Sequence, residues 1–280
     1  GEIPLGGGLS SSASLEVALA TAFLATSGTR IDARQLALLC QRAESEFVGV
    51  RCGIMDQYVI ACSDAGKAML LDCRSVTHQS VALSDSARML VVHSGVKRQL
   101  QNGAYNRRRE ECAAGLAALQ GRWPEVRALR DVTMAQLEAA RLLMSDAVYR
   151  RCRHVVSENA RVGLARDALL AGAVGTLGDL ITASHLSLRD DLEVSCRQLD
   201  ELVALANQCA GVLGARMVGA GFGGCMLALL DSADVAGTVA RLLDGATALL
   251  GARPWNCLVE PAGAAGEVSV AHATLAGGGA

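Results

Sequence analysis

Apolar residues at Leu15, Ala18, Leu19, Ala22 and Phe23 fall at i, i+3, i+4, i+7 and i+8. That is the spacing of a helix that lays one stripe on a core. Ser10, Ser11 and Ser12 stand just before it as N-cap oxygens, and Gly28 closes it. A second helix is expected from about Asp32 to Gly49, with Leu36, Leu39, Cys40, Ala43 and Phe47 on its inner face. Aliphatic runs at Lys67 to Cys73 and Met89 to His93, bounded by Gly, Asp and Ser, predict short strands. From about Val96 to Gly214 the pattern is almost wholly helical, with breaks near Pro124, Gly172 and Asp190. Ala215 to Val218 and Cys225 to Leu230 then predict two strands joined by a glycine loop, followed by a helix over about 233–250. The Gly- and Ala-rich stretch 262–280 predicts a frayed tail. The sum is an α+β architecture, with two domains meeting after the strand that ends near His93.

Composition narrows the class. The chain has 280 residues, enough for one large or two modest domains. Hydrophobic residues are 51% and charged residues 19%, which excludes a disordered chain. Lys plus Arg total 26 against 28 Asp plus Glu, so no basic surplus draws nucleic acid. Charged residues and glycines interrupt every apolar run before the ~20 residues of a membrane span. The ten cysteines are spread through hydrophobic segments without a C-x-x-C pair, and the five histidines lack metal-ligand spacing. These features predict free thiols in a reducing cytoplasm, not a zinc site or a disulfide scaffold.

Candidate chemistry lies in loops beside helices. Pro4-Leu5-Gly6-Gly7-Gly8-Leu9-Ser10-Ser11-Ser12 runs straight into the first helix. Consecutive glycines allow positive φ and close approach of backbone to a ligand, and a helix start favours an anion such as phosphate. A serine-capped linker reads the same way, and no lysine follows to make a Walker loop. Asp56, in Cys52-Gly53-Ile54-Met55-Asp56-Gln57, is a carboxylate in an apolar run, suited either to proton acceptance or to capping a helix. Glu44 borders the apolar stripe of its helix, as a magnesium ligand or as a solvated edge residue. Gly219-Ala220-Gly221-Phe222-Gly223-Gly224 is a second glycine loop, between strands, where a dinucleotide fingerprint fits poorly. Tyr105 precedes a run of arginines that is either a solvated face or the edge of a sugar site.

Taken together, Pro4 to Glu16 (PLGGGLSSSASLE), Cys52 to Gln57 (CGIMDQ), Leu71 to Ser75 (LDCRS), Arg153 to Val156, Ser184 to Asp191 (SHLSLRDD) and Gly219 to Cys225 resemble the GHMP kinases, and within them the galactose-phosphorylating branch. The resemblance extends to about Pro261. It implies an S5-like amino-terminal domain, partial here, over 1–94, a ferredoxin-like carboxy-terminal domain over 95–261 and a flexible tail over 262–280. It implies transfer of the γ-phosphoryl group of ATP to the anomeric hydroxyl of galactose, with Mg²⁺, by a cytoplasmic monomer without nucleic-acid or membrane partners. Under it, Gly6, Gly7, Gly8, Leu9, Ser10, Ser11 and Ser12 cradle the phosphates and Ser12 with Glu44 holds Mg²⁺. Asp56 is the catalytic base or the orienting carboxylate, and Gly53, Asp56 and Tyr105 contact the sugar. N-acetylgalactosamine phosphorylation and a non-catalytic galactose sensor are the alternatives. Sensors of this fold lack a Ser-Ala pair that Ser12 and Ala13 supply.

Three departures stand out. The family's R-x-N-x-I-G-E-H-T-D-Y-like segment does not precede the first glycine loop, so an amino-terminally shortened chain is expected. Ala220 replaces a glycine, which requires a negative φ there. Ala104 and Arg107 replace residues usual around the tyrosine.

Overall fold

The computed structural model describes residues 3–49, 52–97 and 103–266. Two compact units emerge. The larger takes in the chain up to Ser11, Gly66–Leu70 and Gln79–Pro261; the smaller takes in Ser12–Ala65, Leu71–His78 and the described residues from Ala262 on.

In chain order the elements are α1 (Ser11–Ser27), α2 (Ala33–Ala43), α3 (Met55–Cys62), β1 (Lys67–Asp72), β2 (Thr77–Ala82), β3 (Ala87–His93) and α4 (Ala104–Gln120). Then follow α5 (Met134–Ala139), α6 (Asp146–Leu170), α7 (Val174–Ser187), α8 (Arg197–Gln208), β4 (Val212–Met217), β5 (Cys225–Asp231), α9 (Val235–Leu250) and β6 (Asn256–Val259). Among the described residues no helix is long and apolar enough to cross a membrane.

The larger unit is built on an antiparallel sheet in the order β4-β5-β3-β6. Registers Leu90↔Ala228, Val92↔Met226, Ala215↔Ala228 and Met217↔Met226 bring every second residue to one face. That face packs on Leu199, Leu202, Val203 and Ala206 of α8 and on Leu242, Leu243 and Ala246 of α9. A second core gathers Leu119 of α4, Leu137 of α5 and Tyr149, Cys152 and Val156 of α6. Glycine permits close contact between α7 and β4, because a Cβ on Gly178 would overlap the Leu213 carbonyl. Caps follow local chemistry: Ser145 accepts from the Val148 amide at 3.3 Å, and Thr133 and Gln136 form a reciprocal capping box.

In the smaller unit Asp32 caps α2 as expected, accepting from the Gln35 amide at 2.9 Å. The helix then loosens into one π turn, Glu44–Val48, closed by Gly49 at φ 82°. The expected inner faces need correction. α1 buries Ala13 and Val17, while Leu15, Leu19 and Phe23 are exposed, Phe23 by 69%. Residues two apart on a helix point about 200° from each other, so inward Ala13 and Val17 turn Leu15 and Leu19 outward. Small apolar residues circle α1 almost completely, and such a pattern selects no face. Likewise α2 buries Leu36, Ala37 and Cys40, and Phe47 is 93% exposed. The first residues beyond 261 are tied down, with the Ala265 amide donating to the Ile60 carbonyl at 2.8 Å. Residues 267–280 of the expected tail lie outside the described residues.

Candidate active site

Two neighbouring glycine loops lie within the larger unit. Gly6 and Gly8 each take φ 75°, and Ser10 takes φ 57° although it carries a side chain. A strained non-glycine residue at a loop exit is a frequent mark of a ligand-binding turn. The second loop lies directly on the first. A Cβ on Gly219 would sit 2.6 Å from the Gly8 carbonyl oxygen, and one on Gly224 would sit 2.6 Å from that of Gly7. Only glycine fits either contact. In the second loop Gly219, Gly221, Phe222, Gly223 and Gly224 have positive φ and Ala220 does not, so the methyl at Ala220 meets its condition. Ser94, buried behind the loop, donates both its amide (2.9 Å) and its hydroxyl (2.7 Å) to the Gly224 carbonyl. Tyr105, on the first turn of α4, is 41% exposed.

Within the smaller unit, a cluster of oxygen donors gathers around Glu44. The Ser12 hydroxyl donates to Glu44 Oε1 at 2.8 Å and lies 3.4 Å from Glu16 Oε1. Gln57 is 1% exposed, and its Nε2 donates to Glu44 Oε2 at 2.6 Å and Glu16 Oε2 at 3.2 Å. One amide therefore bridges two carboxylates that share one hydroxyl. The Cys52 thiol lies 3.4 Å from Glu44 Oε2. Burial first, then the Glu44 charge, pushes that thiol up, which keeps it protonated and unavailable as a soft ligand.

These donors suit a hard divalent cation, which takes one or two carboxylates and completes its shell with phosphate oxygens and water. Among the described residues no group of three His, Cys, Asp or Glu is arranged to hold a metal unaided. Ile54 occupies the cap of α3 and places Asp56 in the first turn, so the capping alternative for Asp56 does not hold. A carboxylate there is favoured by the positive end of the helix. Gly53 is exposed just before that turn.

Glu16 and Gln57 were not singled out by the sequence. The signal for Glu16 was its spacing, one turn after Ser12 on the same helix face. Gln57 meets Glu16 across 41 residues of sequence, a contact that no local pattern encodes.

Residues 1–64 match the family model described as GHMP kinases N terminal domain, and residues 165–244 match GHMP kinases C terminal. The Lactococcus lactis galactokinase, solved in complex with galactose, superposes with TM-score 0.89 at 33% identity, covering 94% of this chain and 68% of that one. The chain belongs to the GHMP kinases. Galactokinase of Roseiflexus sp. (strain RS-1) is 47% identical over 234 residues, which is 84% of this GHMP kinase and 60% of the relative. Galactokinase of Bos taurus is 48% identical over 235 residues, 82% of this chain and 58% of the relative. This GHMP kinase thus spans about 60% of the length of those relatives. Mevalonate kinase of L. major, at 20% identity and TM-score 0.59, shares the fold.

Proposed function

We propose that this chain carries the phosphoryl-transfer machinery of a galactokinase, which moves the γ-phosphoryl group of ATP to the anomeric hydroxyl of α-D-galactose. The observation that carries the reading is the likeness to galactokinases at 42–48% identity over more than four fifths of the chain. Phosphoryl transfer asks a protein chiefly to position its reactants and neutralise charge. The loop from Gly6 to Ser12 receives the ATP phosphates on backbone amides and serine hydroxyls. Ser12 and Glu44 hold Mg²⁺, with Glu16 as a nearby second carboxylate. The metal, when bound, shields the phosphate charge.

Asp56 takes up or orients the proton of the sugar hydroxyl, and Gly53 and Tyr105 contact the sugar. The Ser12–Glu44 hydrogen bond at 2.8 Å supports the metal assignment, because it brings a hydroxyl and a carboxylate oxygen together as the hard donors that would suit Mg²⁺. Galactose-dependent ADP release by the full-length protein in the presence of Mg²⁺ tests the reading, and a full-length protein without it overturns the reading. General acid–base assistance contributes about 10²–10⁴-fold. Asp56→Ala should therefore lose at least a hundredfold in kcat, and a loss within tenfold removes Asp56 from its role.

A further inference from the structure

Glu193 is the residue after the short π turn Leu188–Leu192, and it adopts φ 53°, ψ 51° with a full side chain. Only a surrounding structure that over-determines it keeps a non-glycine residue there. Three guanidinium groups do so. Arg150 Nη2 donates to Glu193 Oε1 at 2.6 Å, Arg151 Nη2 to Oε2 at 2.6 Å, and Arg108 Nη2 to Oε2 at 3.4 Å and to the Glu193 carbonyl at 3.2 Å. Arg151 is 2% exposed and also reaches the Asp191 carbonyl and Glu111 Oε2, so Glu193 is fixed from the interior as well as from the surface. The bonds from Arg151 and Arg150 hold the Glu193 carboxyl below the usual range, against the opposing pull of burial.

The next residue connects this cage to the glycine loops. The Val194 carbonyl accepts the Phe222 amide at 2.7 Å, and Phe222 is itself strained at φ 59°. A Cβ on Gly221 would overlap the Val194 carbonyl oxygen, so the two backbones are in contact. Phe222 lies in the middle of the loop whose Gly219 and Gly224 touch Gly8 and Gly7. A continuous path of ion pair, left-handed turn and backbone hydrogen bond therefore joins α4 and α6 to the first glycine loop, all within the larger unit.

We infer that Glu193 is a positioning residue for nucleotide binding: caged by Arg108, Arg150 and Arg151, it aims the Val194 carbonyl at Phe222 and so sets the glycine loop that supports Gly7 and Gly8. This rests on the reading of Gly6 to Ser12 as the phosphate loop. Glu193 touches no reactant, and its influence is on how well the loop is formed before ATP arrives.

The experiment compares the full chain with Glu193→Gln, Arg150→Met and Gly221→Ala by three measurements: thermal melting, hydrogen exchange of the peptide spanning 217–225, and equilibrium titration with ATP. Glu193→Gln keeps the shape and loses the charge. Arg150→Met removes only the half-exposed arm of the cage, and Gly221→Ala pushes the loop off Val194 without touching the cage. In proteins that still melt cooperatively, each variant should exchange the Phe222 amide at least tenfold faster. ATP affinity should weaken about five- to twentyfold for Glu193→Gln and Gly221→Ala.

Normal exchange and normal ATP affinity in a folded Glu193→Gln protein overturn the positioning role. If Glu193→Gln does not fold, the same normal values in both Arg150→Met and Gly221→Ala overturn it. A wild-type chain that binds no ATP overturns the phosphate-loop reading and the proposal with it. Wild-type binding with unaffected variants overturns the positioning role alone.

Discussion

Ser12 donates a hydrogen bond from its hydroxyl to Glu44 across 2.8 Å of space and 32 residues of sequence. The pair brings the start of α1 to the π turn that ends α2, and Gln57 secures it from α3 by holding the other Glu44 oxygen at 2.6 Å. Glu44's named partners, Ser12, Cys52 and Gln57, are all neutral donors.

Removing that charge should show first in metal dependence. Glu44→Gln is expected to raise the Mg²⁺ concentration needed for half-maximal turnover and to lower kcat even when Mg²⁺ is saturating. Gln57→Leu keeps both carboxylates and removes the amide that orients them, and outer-shell losses of this kind weaken metal binding about 10–100-fold. Titrating activity with Mg²⁺ at fixed ATP separates the two. A Gln57→Leu curve superimposable on wild type would mean that the bridge plays no part in holding the ion.

The two sides of Gly178 and Gly163 make a paired stability test. Each lies within a helix, where replacing glycine by alanine gains about 1 kcal/mol. Around Gly163 a new Cβ meets nothing within 4 Å, so Gly163→Ala should be stabilising. At Gly178 it overlaps the Leu213 carbonyl of β4, a backbone atom that cannot move without the strand. Overpacking of about 1–3 kcal/mol or more then outweighs the gain in propensity. Gly178→Ala should lower Tm by several degrees while Gly163→Ala raises it, and equal shifts would contradict the tight contact between α7 and β4.

The contrast between those glycines also marks what a sequence can disclose. The runs of glycine at residues 6–8 and 219–224 announce unusual backbone by composition, and Asp32 and Gly49 announce the ends of a helix by local chemistry. Such features act within a few residues. β2, Thr77–Ala82, passes unnoticed because polar Thr77, His78, Gln79 and Ser80 offer no apolar alternation. β6 is four residues at the edge of the sheet and carries too little pattern to read. Within the candidate site, Ser12, Glu44 and Asp56 are legible through motif resemblance. The Glu16–Gln57 contact spans 41 residues and the Arg108–Glu193 contact spans 85, separations that no local pattern encodes.

Buried histidines make stability depend on pH. His185 is 1% exposed and accepts the Met217 amide on Nδ1 at 3.4 Å. Burial lowers its pKa, Arg189 and Arg216 lower it further, and Asp200 and Asp190 oppose them. Burial lowers His154 likewise. Because the folded pKa lies below the unfolded value of about 6.5, the unfolded chain binds protons first. Stability is therefore complete above about pH 6.5 and declines as the pH falls below it. Tm measured at pH 7.5 and pH 5.5 should drop, and His185→Gln should reduce the drop. A wild-type Tm unchanged between those values would refute the assignment.

Thiol reactivity reports whether the glycine loops stay closed. Cys225, where β5 leaves the second loop, is fully buried, and burial pushes its thiol up to about 12. Cys152 in the second core of the larger unit is held at about 12 by burial and then by Cys112. The thiolate is the nucleophile, so neither reacts at pH 8 while the fold is closed. Cys73 and Cys257 are exposed and should be alkylated first. Iodoacetamide labelling followed by peptide mass analysis should therefore find Cys73 and Cys257 modified, Cys152 and Cys225 spared, and all four modified in urea. Gly224→Ala pushes its Cβ to 2.6 Å from the Gly7 carbonyl, one residue from Cys225, and should open that thiol to the reagent while Cys152 stays protected. Equal protection of Cys225 in that variant and in wild type would mean that the two loops do not depend on their glycine contact.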